Sequence, residues 1–366
     1  MRVLIRNTQV LLTRSGVLEV LLVPIVLVSF VSAGLLAGCA SLPSEVVTSE
    51  PGGPSSELLG QIDAADALAD EGEISEARQR YEAIFVAANS RGYDPEATEA
   101  AAQTAVMYCQ LDNVEEAGGW LDRAEENADQ SDERSWSRVL LARGMVRWKN
   151  GEALAARRTF IELYNFCFLN GLTPRGIQAA TLASKSSQGQ EQLDWSLRAI
   201  QAAQTTGNLK WQAPLWSSHA WLLDHRKRHE EALEAFKNAR DLTTRVDISR
   251  LGRLQTEWAY AHGLRMAGQL DKARDILEQT NAIAHSIYIG KPSPRAAEYL
   301  GRVLWELGEV DATEGRMGRA RERFVAARQK LLEAGPNDEA PILARRVEAR
   351  IQELDEEEED KRPRRR

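Results

Sequence analysis

The chain has few of the residues that build enzyme sites: three cysteines and five histidines among 366 residues. It also lacks a Gly-rich phosphate loop and a Gly-x-Ser-x-Gly nucleophile motif. The pair His229-Glu230 is not followed by the second histidine of a zinc-protease helix, because Leu233 occupies that position. We therefore expect no catalytic residues and no cofactor, and we predict that the protein is not an enzyme.

The scarcity of histidine and cysteine also limits metal sites and disulfides. His225 and His229 are spaced to share a metal ion, but the Arg-Lys-Arg sequence between them opposes a cation, and we expect no metal site. Cys109 and Cys167 leave two alternatives open. They form a disulfide, which needs Cα atoms within about 7 Å, or they are buried free thiols, which we favour.

Basic residues are outnumbered as well: 46 Lys and Arg accompany 54 Asp and Glu, for a formal net charge of −8. Binding to phosphates needs a net basic face, so this balance argues against nucleic acid as a partner. The apolar fraction of 43% is nevertheless ample for a packed core.

What the chain does have is a seven-fold repeat, with anchor residues at spacings of 40, 39, 37, 39, 41 and 47. The anchors are Ala77, Ala117, Ala156, Leu193, Ala232, Ala273 and Ala320. An apolar residue follows four positions after each anchor, and a mostly apolar position follows after seven. Because offsets of 0, 4 and 7 share one face of a helix, each anchor marks an amphipathic helix.

A second helix is predicted before each anchor. Twelve residues before the anchor, six of the seven units have Ala or Gly, where two helices can approach closely. Five residues before it, a turn is supplied by Gly72, Asp112, Gly151, Gly268 and Gly315, whereas Gln188 and Lys227 break the pattern in the other two units. Each unit is therefore predicted to be a helical hairpin, and a period near 40 indicates a solenoid.

The small residue, the turn and the Ala-x-x-x-aromatic motif resemble the tetratricopeptide repeat (TPR) over residues 58–335. The best match is the fifth unit, through Trp216, Ala220, Leu223, Ala232, Phe236 and Ala239. The family's closing proline is missing, and the periods exceed the family's value of about 34. The resemblance implies an all-α, TPR-like helical-hairpin solenoid of about seven repeats, whose first helices line a concave groove.

Taking the family's register, groove positions lie 18, 15, 11, 8 and 7 residues before each anchor. In units three to seven these positions carry an excess of basic residues and four tryptophans. The candidate partner-binding residues are Arg138, Trp148, Lys149, Arg175, Lys185, Trp221, Trp258, Arg265, Arg302 and Trp305. Such a trough suits an extended segment with acidic and apolar side chains. The alternative for each tryptophan is packing in the core.

Two expectations accompany this groove. Reversing the charges of Lys149, Arg175 and Arg265 together should leave helicity unchanged while weakening capture of an acidic partner. The carboxylates Asp66 and Asp70, by contrast, are expected on a solvated helical face.

The N-terminus has the shape of a bacterial lipoprotein signal. A basic segment with three arginines precedes an apolar run at residues 20–36, and Leu36-Ala37-Gly38-Cys39 resembles a lipobox. The resemblance implies that residues 1–38 are a signal peptide and that acylated Cys39 inserts in the bilayer. The alternative is an uncleaved transmembrane anchor. Since Ala40 is not the aspartate that retains such lipoproteins at the inner membrane, the resemblance favours the outer membrane, with the repeats facing the periplasm.

The remaining segments flank the solenoid. Residues 39–57 are rich in Ser, Pro, Gly and Glu and are predicted to be a flexible tether. Residues 336–355 are predicted to form a C-terminal capping helix, with Ile342, Leu343, Val347, Ile351 and Leu354 toward the last repeat. Residues 356–366 form an acidic and then a basic block, predicted to be a disordered tail or, alternatively, a hook for anionic lipids or an acidic partner.

These observations favour a membrane-anchored protein interaction scaffold or assembly factor of the bacterial cell envelope. One alternative is a regulator of a cell-wall enzyme, and another is a glycan or small-molecule binder that uses the tryptophans for stacking. The expected partners are an envelope protein with an acidic or extended segment and the lipid bilayer through Cys39. The sequence names no particular partner.

Overall fold

The protein is described here by a computed structural model that covers residues 54–246, 248–335 and 340–361. The predicted signal peptide, Cys39, the tether as far as residue 53 and the last five residues of the tail lie outside these described residues. Within the described ranges, none of the helices combines the length and apolar character needed to cross a bilayer.

Fifteen α-helices and no strands occur in the described part of the chain. The first seven are α1 (Pro54–Glu71), α2 (Ile74–Asn89), α3 (Asp94–Gln110), α4 (Val114–Glu126), α5 (Glu133–Lys149), α6 (Ala153–Leu169) and α7 (Thr173–Ser186). The others are α8 (Gly189–Thr205), α9 (Leu209–Asp224), α10 (His229–Thr243), α11 (Arg250–Met266), α12 (Leu270–Gly290), α13 (Pro294–Thr313), α14 (Met317–Glu333) and α15 (Ala340–Lys361). Helices α1 to α14 form seven hairpins, which we number as units one to seven.

The turns inside the units form where the spacing predicts them. Gly72, Gly151, Gly268 and Gly315 have positive φ angles, which glycine adopts without strain. Asp112 and Lys227 take the same left-handed conformation, with φ angles of 57° and 60°. The chain therefore makes the same turn in units two and five, at the cost of some backbone strain.

Burial of the anchors explains how each hairpin closes. All seven anchors are at most 2% exposed, and six of the seven residues four positions later are buried, with Leu197 half-buried. The small residues of the first helices lie against these side chains. A Cβ atom added to Gly144 would stand 2.4 Å from Phe160, and one added to Gly308 would stand 2.5 Å from Phe324. The predicted close approach of the two helices is thus present in units three and seven.

Helix α15 closes the stack by packing against α14. Leu343, Val347, Ile351 and Leu354 are buried, as expected for a cap, but Ile342 is 41% exposed and does not face the last repeat. The helix also continues six residues beyond residue 355, so the boundary with the predicted tail moves to residue 361. Glutamates are good helix formers, which favours continuation of an already packed helix. At the other end α1 begins at Pro54, within the predicted tether.

Candidate functional site

The candidate site is the face formed by the first helices of the units, from α1 to α13, which we call the inner face. First helices of neighbouring units contact one another in five pairs: α1 with α3, α3 with α5, α5 with α7, α9 with α11 and α11 with α13. Among the described residues, second helices of neighbouring units make no comparable contact. The inner face is therefore the side on which successive units pack more closely.

Units one to four are joined across the inner face by ion pairs around a buried glutamate. Glu99 of α3 accepts from Arg134 Nε at 2.6 Å, Arg138 Nε at 3.1 Å and Arg175 Nη2 at 3.0 Å. Arg134 Nη2 also donates to Asp63 at 2.9 Å, and Arg138 pairs with Asp66. We call these six residues, Asp63, Asp66, Glu99, Arg134, Arg138 and Arg175, the Glu99 cluster.

Electrostatics keep this cluster charged. Burial alone raises the pKa of the Glu99 carboxyl, but Arg175, Arg138 and Arg134 outweigh that effect and lower it to about 2. Arg175 also donates to the carbonyl oxygen of Arg134 at 2.6 Å. Arg138 and Arg175, both predicted as groove residues, therefore hold four neighbouring units together.

A second cluster joins units five to seven. His262 of α11 lies between two carboxylates: its Nε2 is 3.1 Å from Asp224 Oδ2, and its Nδ1 is 2.8 Å from Glu306 Oε1. Arg265 Nε donates to Glu306 Oε2 at 2.7 Å. Burial lowers the pKa of His262, but Glu306 and Asp224 outweigh it and raise the pKa to about 9. His262 is therefore an imidazolium at neutral pH. We call Asp224, His262, Arg265 and Glu306 the His262 cluster.

Two of the predicted groove tryptophans, Trp221 and Trp258, contact other aromatic or cationic side chains. Trp258 is only 5% exposed, and the Arg302 guanidinium lies over its ring at 5.2 Å. Trp221 lies tilted against His262, with 4.7 Å between ring centroids, and meets Phe236 edge-on at 5.0 Å. The alternative of core packing is thus correct for Trp258.

Two further tryptophans are half-buried on the inner face. Trp148 meets Phe160 edge-on at 6.1 Å. Trp305 donates from Nε1 to Glu309 at 3.1 Å, and Glu309 also accepts from Arg350 of α15. Each of these tryptophans has one side held by the core and another on the inner face.

The prediction of a cationic trough is wrong about its net charge, because carboxylates neutralise most of the basic residues. Five of the six predicted basic residues have carboxylate partners: Arg138 and Arg175 in the Glu99 cluster, Arg265 with Glu306, Arg302 with Glu298, and Lys149 with Asp112. The expectation that reversal of Lys149, Arg175 and Arg265 leaves the fold intact is not supported. A carboxylate in place of Arg175 or Arg265 would face Glu99 or Glu306. Their contact with a partner stays a prediction.

Lys185 is the exception among the six. It lies in the last turn of α7, is exposed, and forms no ion pair with any carboxylate in the described ranges. Burial nevertheless lowers the pKa of its ammonium group. The side chain is therefore accessible to solvent and partly desolvated. One turn earlier, Leu182 is half-buried. Trp148 occupies the position of α5 that is equivalent to Lys185, eight residues before the anchor.

The carboxylates that pair with the groove arginines of units three and four lie in units one and two, outside the units for which groove residues are predicted. The same offsets before Ala77 and Ala117 give Asp66, Asp70 and Glu99. The expectation that Asp66 and Asp70 are solvated is also wrong, since both are half-buried. Burial and the neighbouring Asp66 raise the pKa of Asp70 to about 7. Glu306 lies 14 residues before its anchor, outside the predicted offsets.

The structure also shows the surroundings of the histidines and cysteines considered for a metal site or a disulfide. In the part of the chain that the structure describes, no group of three or more His, Cys, Asp or Glu side chains is arranged to hold a metal ion. His225 Nδ1 lies 2.9 Å from the Trp221 carbonyl oxygen, and His229 Nδ1 lies 2.9 Å from Asp224 Oδ1, so the two histidines point to different partners. Cys109 and Cys167 are buried free thiols, and burial raises their pKa values to about 11 and about 12.

Comparison with solved structures agrees with this architecture. The apo form of RapI is similar at 12% sequence identity and a TM-score of 0.63, over 79% of this chain and 80% of that one. A STAND signal-transduction ATPase with a tetratricopeptide repeat sensor, from Pyrococcus horikoshii, is similar at 14% identity and a TM-score of 0.60. That match covers 82% of this chain but 44% of the other, so this chain spans less than half the length of the ATPase.

No protein-family model matches the chain, and no curated protein matches it. At 12 to 14% identity, the likeness to solved structures shows the fold alone. The protein is an all-α, TPR-like helical repeat solenoid.

Proposed function

We propose that the protein is a membrane-anchored interaction scaffold or assembly factor of the bacterial cell envelope. Its concave inner face binds an extended segment of another envelope protein, and Cys39 carries the acyl chains that attach it to the membrane. The observation that carries the binding proposal is Lys185, an exposed cation without a carboxylate partner among the described residues.

The surroundings of Lys185 indicate the chemistry of the partner. Arg138, Arg175 and Arg265 are already neutralised, so they have little attraction left for an acidic ligand. Burial lowers the pKa of the Lys185 ammonium, and in such a partly desolvated environment an ion pair is stronger than on an open surface. The half-buried Leu182, one turn earlier on α7, and Trp148 of the neighbouring α5 offer apolar area on the same face. A peptide with an acidic side chain flanked by an apolar one fits this arrangement.

A site-specific photo-crosslinker tests the inner face directly. Gln178 of α7 is half-buried on the inner face, and Gln201 of α8 is exposed on the opposite side of the same unit, which makes a matched pair. We expect a partner to be crosslinked in cells from position 178 and not from position 201. The crosslink from 178 should be lost in Lys185→Glu and kept in Lys272→Glu, which alters an exposed lysine of α12. Crosslinking from 201 alone, or from 178 undiminished by Lys185→Glu, would contradict the proposal.

The lipid anchor has its own test, because acyl transfer needs the Cys39 thiol. We expect a labelled fatty acid to be incorporated into the wild-type chain and not into Cys39→Ser, which should remain an unprocessed precursor. Cell fractionation of the wild type would then place the protein at the outer membrane. Label that persists in Cys39→Ser would contradict the lipoprotein proposal without bearing on the inner face.

The alternatives differ in how they use the same face. A regulator of a cell-wall enzyme would bind through the inner face too, and the identity of the crosslinked protein separates it from an assembly factor. A glycan binder needs open aromatic faces for stacking. The ring of Trp258 is covered by Arg302, and the ring of Trp221 lies tilted against His262, so the geometry does not favour this alternative.

A further inference from the structure

The ends of the helices define an edge of the solenoid. Glu99, near the start of α3, pairs with Arg138 and Arg175, which lie near the starts of α5 and α7. The first helices therefore run parallel, and their N-termini line one edge together with the turns that join one unit to the next. We call this the inter-unit edge. Helix α1 begins at Pro54, so the chain that follows Cys39 enters the solenoid at the same edge.

Charge is unevenly distributed along this edge. At the turn between α4 and α5 the residues from 125 to 133 include five acidic side chains, Glu125, Glu126, Asp129, Asp132 and Glu133. The turns from α10 to α11 and from α12 to α13 are basic instead. Their exposed basic residues are Arg245, Arg250, Arg253, Lys291 and Arg295. We call these five residues the basic edge.

The neighbours that the structure describes do not neutralise the basic edge. None of its five residues forms an ion pair with a carboxylate among the residues that the structure describes. The carboxylates in the adjoining helical turns are engaged elsewhere: Glu257 pairs with Arg240, Glu298 with Arg302, and Glu333 with Lys330. The sequence between residues 244 and 253 contains three arginines and a single aspartate. This part of an acidic protein therefore presents local positive charge.

An exposed apolar side chain accompanies the positive charge. Ile289, in the last turn of α12 and two residues before Lys291, is 64% exposed. Exposed aliphatic groups beside Lys and Arg are typical of surfaces that lie against membranes, because the apolar group enters the interface while the cations bind headgroups.

We propose that the basic edge docks on the anionic headgroups of a phospholipid bilayer. The charge of the edge is complementary to such a surface, and the tether brings the edge within range. The fifteen residues from 39 to 53 span at most about 50 Å when extended, so an anchor at Cys39 holds the inter-unit edge close to the membrane. Docking at units five to seven, far along the solenoid from α1, would lay the array along the bilayer and fix where its concave face points. This orientation of the solenoid rests on the proposed acylation of Cys39, but the test of the basic edge does not.

The test uses vesicles and a chain that starts at Ala40, which retains all fifteen helices and every contact described above. We expect this chain to sediment with vesicles that contain phosphatidylglycerol and not with vesicles of phosphatidylcholine, and the binding to weaken with salt. Each basic residue near an anionic bilayer contributes roughly fivefold to partitioning. The triple variant Arg250→Glu, Arg253→Glu and Lys291→Glu should therefore bind at least about 100-fold more weakly.

A control with the same change in net charge reverses Arg158, Lys272 and Arg319, which are exposed near the starts of second helices, away from the inter-unit edge. It should bind almost as well as wild type, and both variants should keep the wild-type circular dichroism. A chain that ends at residue 355 separates the edge from the basic tail. Loss of binding in that chain, equal losses in both triple variants, or equal binding to both kinds of vesicle would overturn the proposal. None of these results depends on acylation or on Lys185, so failure here is distinguishable from failure of the proposed function.

Discussion

The Glu99 cluster joins units one to four through guanidinium and carboxylate groups, whereas the His262 cluster joins units five to seven through an imidazolium between two carboxylates. Both clusters lie on the inner face and connect first helices of successive units. Guanidinium groups stay charged at every pH that a folded protein meets, but an imidazolium does not. The two halves of the solenoid therefore have similar architecture and different sensitivity to pH.

In both halves, buried charged residues fix the alignment of successive units. A solenoid has no central core, so each unit depends on its contacts with neighbours. Glu99 contacts three arginines from two other units, and His262 contacts carboxylates from the units on either side. Such groups define how successive units align, because a shift of one unit would leave a buried charge without its partner.

The largest expected effect is the loss of Glu99. In Glu99→Gln the shape is kept, but Arg134, Arg138 and Arg175 lose the carboxylate that they share. We expect a loss of about 3 to 5 kcal/mol, the usual range for breaking a buried ion pair. Hydrogen exchange should accelerate most in α3, α5 and α7 and much less in α11. Glu162→Gln, at an exposed position of α6, is the control and should leave exchange unchanged. Equal acceleration in α11 would mean that the two halves unfold as one.

The next effect is the pH dependence of the His262 cluster. The pKa of His262 is raised in the folded protein from its ordinary value of about 6.5 to about 9. The stability it contributes is fully present below pH 6.5 and is lost as the pH rises through about 9, and it amounts to roughly 3 kcal/mol. Hydrogen exchange in α11 and α13 should therefore accelerate between pH 6.5 and 9, after correction for the intrinsic rate. Exchange in α5 should not follow this dependence.

The variant His262→Gln tests whether His262 itself causes this pH dependence. Glutamine does not titrate, so the variant should be less stable than wild type at pH 6 and should lose the dependence between pH 6.5 and 9. A variant that keeps the wild-type dependence would show that another group is responsible.

The fold was predictable because it depends on short-range spacing. Offsets of four and seven residues place Ala77, Tyr81 and Ile84 on one buried face, and the turn glycines separate the helices. The site was less predictable because ion pairing depends on residues about 40 to 76 positions apart, such as Arg175 and Glu99. A register identifies which residues face inward but not which of them neutralise one another. That is why the basic excess appeared free in the sequence and is mostly paired in the structure.

A smaller effect tests the helix contacts in both halves at once. Gly144→Ala in unit three and Gly308→Ala in unit seven would each place a methyl group within 2.6 Å of a buried phenylalanine. We expect each to lose about 1 to 3 kcal/mol through overpacking, whichever cluster lies nearby. Gly118→Ala and Gly318→Ala are the controls, since nothing lies within 4 Å of a Cβ atom added there. These should be neutral or slightly stabilising in thermal melts, because alanine favours helix more than glycine does. Equal effects in the two sets would contradict the close approach.

The smallest expected effect concerns Asp70, a carboxyl of unit one that is half-buried beside Asp66. Its pKa is raised from about 3.8 to about 7, so its neutral form is favoured in the folded state, and the associated stability is lost as the pH rises from about 4 through 7. Above pH 7 the charged form opposes folding. Asp70→Asn keeps the shape without the charge, and we expect it to stabilise the protein by about 1 kcal/mol at pH 8, a figure reduced for partial solvent screening. At pH 4 the variant should melt like wild type.

The control is Asp122→Asn, at an exposed position of α4, which should show no such difference between the two pH values. The pH range in which Asp70 titrates lies below the range in which His262 titrates. Thermal melts of Asp70→Asn and His262→Gln from pH 4 to 9 should therefore assign each pH-dependent step in stability to one half of the solenoid. A single shared step in both would contradict that assignment.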